Sequence, residues 1–180
     1  SPYGPWNQAH DNENRHPTMN IYETKLTSYF SECDKHLLRI KSAIHKMKPA
    51  LPLTEASYKK LDEDQIEHID QLLFRFSKMQ DTLGDKIFSN LLLFLGEENT
   101  KSTPFIDVLN RLEKLEILID KQAWLELRRL RNQMAHEYDE NAKTMSEGIN
   151  SVVKIVERLE EIFLSMKNYF LKRSGAINEI

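Results

Sequence analysis

The 180 residues suffice for one domain with a substantial buried core. Strong helix formers dominate, whereas Gly and Pro number only 5 and 6, which disfavours a strand-rich fold. The net charge of −3 excludes a globally basic nucleic-acid binder, and the single cysteine, Cys33, excludes an intramolecular disulfide.

The polar N-terminal segment, residues 1–20, carries three of the six prolines and has no apolar periodicity. We predict an unstructured tail or a cloning remnant there, with Met19 as a native start. The alternative is an ordered arm anchored by Trp6. The helical domain is expected over residues 21–173, followed by a short C-terminal tail over residues 174–180.

Apolar residues at steps of three and four predict a first helix from about Ile21 to Lys48, which Pro49 and Pro52 end. A second helix is predicted over roughly residues 64–89, interrupted at Gly84. On its inner face Gln80 falls among apolar positions, with Asp81 beside it. These two side chains are expected either to orient His136 from the neighbouring helix or to make structural hydrogen bonds.

Thr103 and Pro104 predict the cap and first turn of a third helix that ends near Leu118. A fourth helix is predicted from an Asp120 cap to near Tyr138. The last begins at the capping-box spacing of residues 144–147, and its apolar seam must meet other helices. The expected fold is an all-α antiparallel bundle of four to five helices.

The fourth helix contains the chemically informative segment, LRRLRNQMAHEY over residues 127–138. Four cations and one carboxylate lie between Lys121 and His136, a local basic patch suited to a phosphodiester backbone. Histidine exchanges protons near neutral pH, and arginine stabilises charge that develops on phosphoryl oxygens. Arg128 and Arg129, together with Lys78 on the second helix, are candidate RNA-binding residues.

The spacing of Arg131 and His136 constrains how they could act together. Five residues separate them, so they diverge by about 140° around a straight helix. The two side chains converge only if the long arginine extends around the helix, if the helix ends near His136, or if two subunits share a site. A purely structural role also fits, because basic residues near a helix C-terminus complement its dipole, and Tyr138 could simply pack at the bundle end.

Three segments in the same order resemble the HepT-like toxins of the HEPN superfamily. The segment RNQMAHEY, residues 131–138, matches their R-x4-H-x-Y signature. The upstream segments RFSKMQDTLGDK (75–86) and FIDVLNRLEK (105–114) also resemble that group. The similarity covers the chain from about Ile21 to Lys172 and leaves out the tails.

This resemblance implies a metal-independent endoribonuclease toxin of a toxin–antitoxin pair. Arg131 and His136 match the catalytic pair, and Asn132 matches the supporting polar position. Tyr138 matches the tyrosine that a minimal nucleotidyltransferase antitoxin modifies with AMP, which would block the cleft with bulk and negative charge. The implied partners are RNA, that antitoxin and a second copy in a homodimer.

Two other functions stay open. The chain could be a non-catalytic subunit that presents Arg131 and Tyr138 to a nucleotidyltransferase, or a helical scaffold that oligomerises through the seam of its last helix. No metal or cofactor is expected, because neither a thiolate cluster nor a Gly-rich phosphate loop is present. One cysteine and the absence of a long apolar run favour a cytoplasmic protein without membrane contact.

Overall fold

A computed structural model describes residues 6–97, 102–137 and 141–174, with side chains described from residue 21 onward except that of Glu137. Within these ranges the regular structure is helical throughout, with no strand. The expected all-α class is therefore confirmed. The tail predicted over residues 174–180 lies outside the described residues apart from Ser174, which ends the last helix.

The first helix, α1, spans Trp6–Met47 and is longer than predicted. Its first turns, from Trp6, fall within residues 1–20, the segment for which an unstructured tail or a cloning remnant was predicted. Adding residues to an existing helix avoids the unfavourable nucleation step, so a polar segment can extend a well-packed helix without apolar periodicity of its own. At its other end α1 passes into a 3₁₀ turn over Lys48–Ala50, close to the predicted stop.

Two helices follow, each opened by a reciprocal capping box. The short helix α2, Glu55–Lys59, is capped by Thr54 and was not predicted. Helix α3, Glu63–Asp81, is capped by Asp62, whose carboxylate accepts from the backbone of Gln65. Asp62 satisfies a backbone donor that helix geometry leaves without a partner, which explains why the helix begins there.

A turn of π-helix over Thr82–Ile87 joins α3 to α4, Phe88–Phe94. The second helix predicted over roughly residues 64–89 thus takes in α3 and the start of α4, and the interruption expected at Gly84 falls within this π turn. A Cβ at Gly84 would lie only 2.9 Å from Cζ2 of the buried Trp124. Glycine is needed there because the indole packs directly against the backbone.

The remaining helices are α5, Phe105–Lys114, α6, Lys121–Glu137, and α7, Ala142–Ser174. Asp120 caps α6 as predicted, its Oδ1 accepting from the backbone N–H of Ala123 at 3.0 Å. Two other caps differ from prediction. Pro104 occupies the N-cap of α5, and α7 begins before the predicted box because the Asn141 side chain accepts from Lys143 and Thr144.

Helices α1 and α3 run antiparallel, as the polar contacts between them and the π turn that follows α3 show. Thr82 bonds to Glu32 while Arg75, seven residues earlier, bonds to His36. The apolar seam of α7 is buried within the chain, each side chain being at most 5% exposed (Ile149, Val152, Val156, Leu159, Phe163, Met166 and Phe170). Because the seam is already covered, it offers no surface for oligomerisation, and the scaffold hypothesis loses its basis.

Candidate functional site

Helix α6 carries the predicted site at its C-terminal half, alongside α3. Its inner face, which includes Trp124, Leu127, Leu130 and Met134, is buried in the core. The intervening positions carry the basic and polar residues of the motif and reach the surface beside α3. Because the apolar face of α6 packs into the core, the helical repeat determines which motif residues face the boundary between α3 and α6.

Asp81, the last residue of α3, binds two arginines of α6. Arg128 donates from Nη1 to Oδ1 at 3.2 Å, and Arg131 donates from Nη2 to Oδ2 at 3.2 Å. All three side chains are only about 30% exposed or less. One carboxylate thus faces two guanidinium groups, which holds both in place and leaves an excess of positive charge beside the motif.

Arg131 has further donors beyond this bridge. Its Nη1 lies 3.5 Å from Oδ1 of the exposed Asn132, at the limit of hydrogen-bond distance. Its Nε is buried and has no hydrogen-bond partner within the described part of the chain. Each Nη also carries a second N–H beyond these contacts, and a phosphate oxygen is a strong acceptor for it, so Arg131 retains donor capacity for an anionic ligand.

His136 lies one residue before the end of α6, and its side chain is exposed. Because the helix continues to Glu137, it does not end before the histidine and let the chain turn back towards Arg131. A regular helix places their Cα atoms about 7.5 Å apart along its axis and about 140° apart around it. Convergence therefore depends on the length of the arginine or on a second subunit. The predicted modification residue, Tyr138, lies outside the described residues.

The three predicted RNA-binding residues have different surroundings. Arg128 is held by Asp81 and also lies over the ring of Trp124, with 6.0 Å to its centroid. Arg129 is directed to solvent and forms a bidentate pair with Glu126, donating at 2.6 and 3.1 Å. Lys78 is exposed on α3, where its ammonium lies 5.8 Å from the ring centroid of Phe74.

Sequence reasoning did not single out a polar cluster between α1 and α3. Arg75 Nη1 lies 3.1 Å from Nδ1 of the buried His36, and His36 Nε2 lies 3.5 Å from the Glu32 carboxylate. Burial lowers the pKa of His36, and the charges of Arg75 and Lys78 act in the same direction against the opposing effect of Glu32. The available signal was spacing, since His36 is three residues after Cys33 and four before Ile40 on the apolar stripe.

Phe74 was also missed; it lies immediately before the segment of residues 75–86 that carries the resemblance. It is 53% exposed and lines a groove of about 440 Å³ between α3 and α6. The other lining residues are Asp70, Leu73, Ser77, Met134 and Ala135. Ala135 immediately precedes His136, so the groove leads directly to the motif.

Gln80 and Asp81 behave differently from each other. Asp81 orients Arg128 and Arg131, as described above. Gln80 is fully buried, and neither atom of its amide finds a partner among the residues the structure describes. Two other histidines, His45 on α1 and His68 on α3, are exposed and partly exposed respectively.

Across the described ranges, no three His, Cys, Asp or Glu side chains gather closely enough to hold a metal ion. Nor does any helix there combine the length and the apolar composition that crossing a bilayer requires. Comparison with protein-family models, with curated proteins and with solved structures found no match for this chain.

Proposed function

We propose that this protein is a metal-independent endoribonuclease toxin in which Arg131 and His136 form the catalytic pair. One observation carries the proposal: His136 is exposed at the end of α6, while Arg131 on the same helix is held in place by Asp81. A general base must reach the substrate, and a transition-state clamp works best when it is positioned beforehand. A histidine buried in the dry core would have excluded this function.

The reaction requires only groups that the chain itself supplies. The neutral imidazole of His136 accepts the proton of a ribose 2′-hydroxyl, and the oxygen attacks the adjacent phosphorus. The bond from phosphorus to the 5′-oxygen breaks, the protonated His136 imidazole returns its proton to that oxygen, and a 2′,3′-cyclic phosphate end remains. The Arg131 guanidinium stabilises the negative charge that develops on the phosphoryl oxygens, and Arg128 adds positive charge beside it.

We further propose that the working form is a homodimer with a shared site. The angular separation on α6 favours pairing Arg131 of one copy with His136 of another. Mixing Arg131→Ala protein with His136→Ala protein tests this arrangement, because a mixed dimer keeps one intact composite site. Recovery of cleavage on mixing supports a shared site, whereas two inactive proteins that stay inactive after subunit exchange argue for a site within one chain.

The catalytic test is a cleavage assay with single-stranded RNA in the presence of EDTA. Arg131→Ala and His136→Ala should each abolish cleavage and the growth inhibition caused by expression, while circular dichroism and thermal unfolding remain close to wild type. Arg158→Ala and His45→Ala change exposed residues of the same types on other helices and should have no effect. Equal activity of all five proteins, or no activity in wild type, would contradict the nuclease proposal and favour a non-catalytic partner subunit.

Regulation by AMP transfer to Tyr138 is the second part of the proposal. The support is positional, because a bulky anionic group two residues after His136 would repel an RNA phosphate. Co-expression with a cognate minimal nucleotidyltransferase should add the mass of AMP to wild type and not to Tyr138→Phe. Added mass on a different residue would remove Tyr138 from the proposal without affecting the catalytic pair.

A further inference from the structure

We propose that Phe74 is a stacking platform for an unpaired base of the RNA, next to the Arg131–His136 motif. This inference rests on the proposed ribonuclease function and adds a residue that selects single-stranded substrate. Phe74 projects from α3 with half of its surface exposed (53%). An exposed phenylalanine offers a flat apolar face that any base can cover, so recognition of this kind does not depend on sequence.

Two cations flank the ring. The guanidinium of Arg75 lies 5.7 Å from its centroid, and the ammonium of Lys78 lies 5.8 Å from it. Nη1 of Arg75 also lies 3.1 Å from Nδ1 of the buried His36, which fixes the position of the guanidinium group. An aromatic face between cations is the arrangement that single-strand binders use, because bases stack on the ring while the cations attract the backbone.

The groove beside Phe74 connects this platform to the candidate active site. It passes Ser77 and reaches Ala135, the residue before His136. Along α3, Phe74 and Asp81 are seven residues apart, which corresponds to about 10 Å. A base stacked on Phe74 therefore belongs to a nucleotide near the one whose phosphate contacts Arg131, and the groove volume of about 440 Å³ falls within the usual range for small-ligand sites.

Charge favours RNA over a second copy of this chain as the occupant. A two-fold interface centred on Phe74 would bring Arg75 and Lys78 of both copies together, which costs electrostatic energy. RNA brings phosphates to the same cations. Asp70 also lines the groove, but it is eleven residues before Asp81 on α3, about 16 Å along the helix axis from the residue that holds Arg131.

The test measures binding by fluorescence anisotropy, with His136→Ala as the background so that the RNA stays intact. The probes are a short labelled single-stranded RNA, the same strand with abasic sites, and its duplex. Adding Phe74→Ala should weaken single-strand binding about five- to a hundredfold, the range measured for loss of one stacked base. Phe74→Trp should retain it, and Phe105→Ala, which removes an aromatic ring that is 44% exposed on α5, should leave it unchanged.

Binding of the abasic strand and of the duplex distinguishes loss of base stacking on Phe74 from other effects of the substitution. Both should bind equally well to the proteins with and without Phe74, because neither offers an unpaired base.

Unchanged single-strand affinity in Phe74→Ala would overturn this inference while leaving the nuclease proposal intact if wild type still cleaves RNA. If Phe74→Ala changed the mass measured by sedimentation without changing the affinity for RNA, the surface around Phe74 would be a subunit interface. That result would also overturn the inference. Failure of the wild-type chain both to bind and to cleave RNA would overturn both proposals.

Discussion

The Asp81 carboxylate accepts a hydrogen bond from Arg131 at 3.2 Å across the boundary between α3 and α6, while its other oxygen binds Arg128. The two arginines lie 47 and 50 residues from Asp81 in the chain. The catalytic guanidinium of the proposed site is therefore positioned by a residue on another helix. Asp81 is a positioning residue, since its contact is with Arg131 rather than with the reacting groups.

Asp81→Asn should lower RNA cleavage about tenfold to a hundredfold, because loss of the charge releases Arg131 from its orientation. The free energy of unfolding should fall by about 1–2 kcal/mol, as expected for weakened hydrogen bonds between charged groups. Single-turnover cleavage and urea denaturation measure the two effects. Asp85→Asn, an exposed carboxylate four residues later, is the matched control and should change neither. Faster or unchanged cleavage by Asp81→Asn would refute the positioning role.

His36 should make the protein less stable in mild acid. Its folded-state pKa is lowered below the ordinary value of 6.5, mainly by burial, so the folded state binds the proton less well than the unfolded state. The stability contributed by neutral His36 is therefore complete above about pH 6.5 and is lost as the pH falls from there through the folded pKa. Urea denaturation at about pH 7.5 and about pH 5 measures the loss.

His36→Gln removes the titrating group and should show a smaller loss of stability over the same interval. His45→Gln replaces an exposed histidine on the same helix and should behave like wild type. The account of His36 fails if all three proteins lose the same free energy between the two pH values.

Asn150 ties the segment after α1 to α7. Its side chain accepts from the backbone N–H of Leu53 and donates to the carbonyl of the same residue, both at 2.8 Å. Asn150→Ala should lower the free energy of unfolding by about 2–3 kcal/mol, because two backbone groups lose their partner. Asn168→Ala, at an exposed position of α7, should change stability by about 0.5 kcal/mol or less. If thermal and urea unfolding gave similar losses of stability for Asn150→Ala and Asn168→Ala, Asn150 would not tie the two segments together.

Gly148 sets the distance between α6 and α7 at Met134, within the motif. A Cβ at this position would collide with Sδ of Met134, two residues before His136. Gly148→Ala should therefore cost about 1–3 kcal/mol of stability through overpacking. Combining it with Met134→Ala removes the collision, so the double variant should be more stable than the sum of the two changes predicts. If the changes in the free energy of unfolding of the two single variants simply added in the double variant, Met134 would be shown to move aside freely.

Cys33 should be chemically silent in the folded protein. Burial raises the pKa of its thiol to about 12, and the charges of Glu32 and Asp34 act in the same direction. The thiolate, which is the reactive form, is then scarce at neutral pH. A thiol reagent should label wild type only after denaturant is added. Rapid labelling of the folded chain would contradict the burial of this side chain.

The sequence by itself determined the helical class and the approximate positions of the longest helices. Steps of three and four predict α1, α3 and the buried seam of α7, because one face of each helix must be apolar to pack. The Asp120 cap, with a helix expected to run to near Tyr138, placed Arg131 and His136 near the end of one helix. Local caps were predicted only in part, with Asp120 confirmed and the box at residues 144–147 replaced by Asn141. The resemblance and the function it implies stay predictions.

Only the tertiary structure decided which side chains meet. The bridge from Asp81 to Arg131 and the pair of His36 with Arg75 join residues far apart in the chain, and periodicity carries no information about such contacts. The π turn at Gly84 depends in the same way on an indole that arrives from α6. Helix formation is governed by interactions within one turn, whereas the geometry of the candidate site is governed by how whole helices pack, and that is settled only when the core forms.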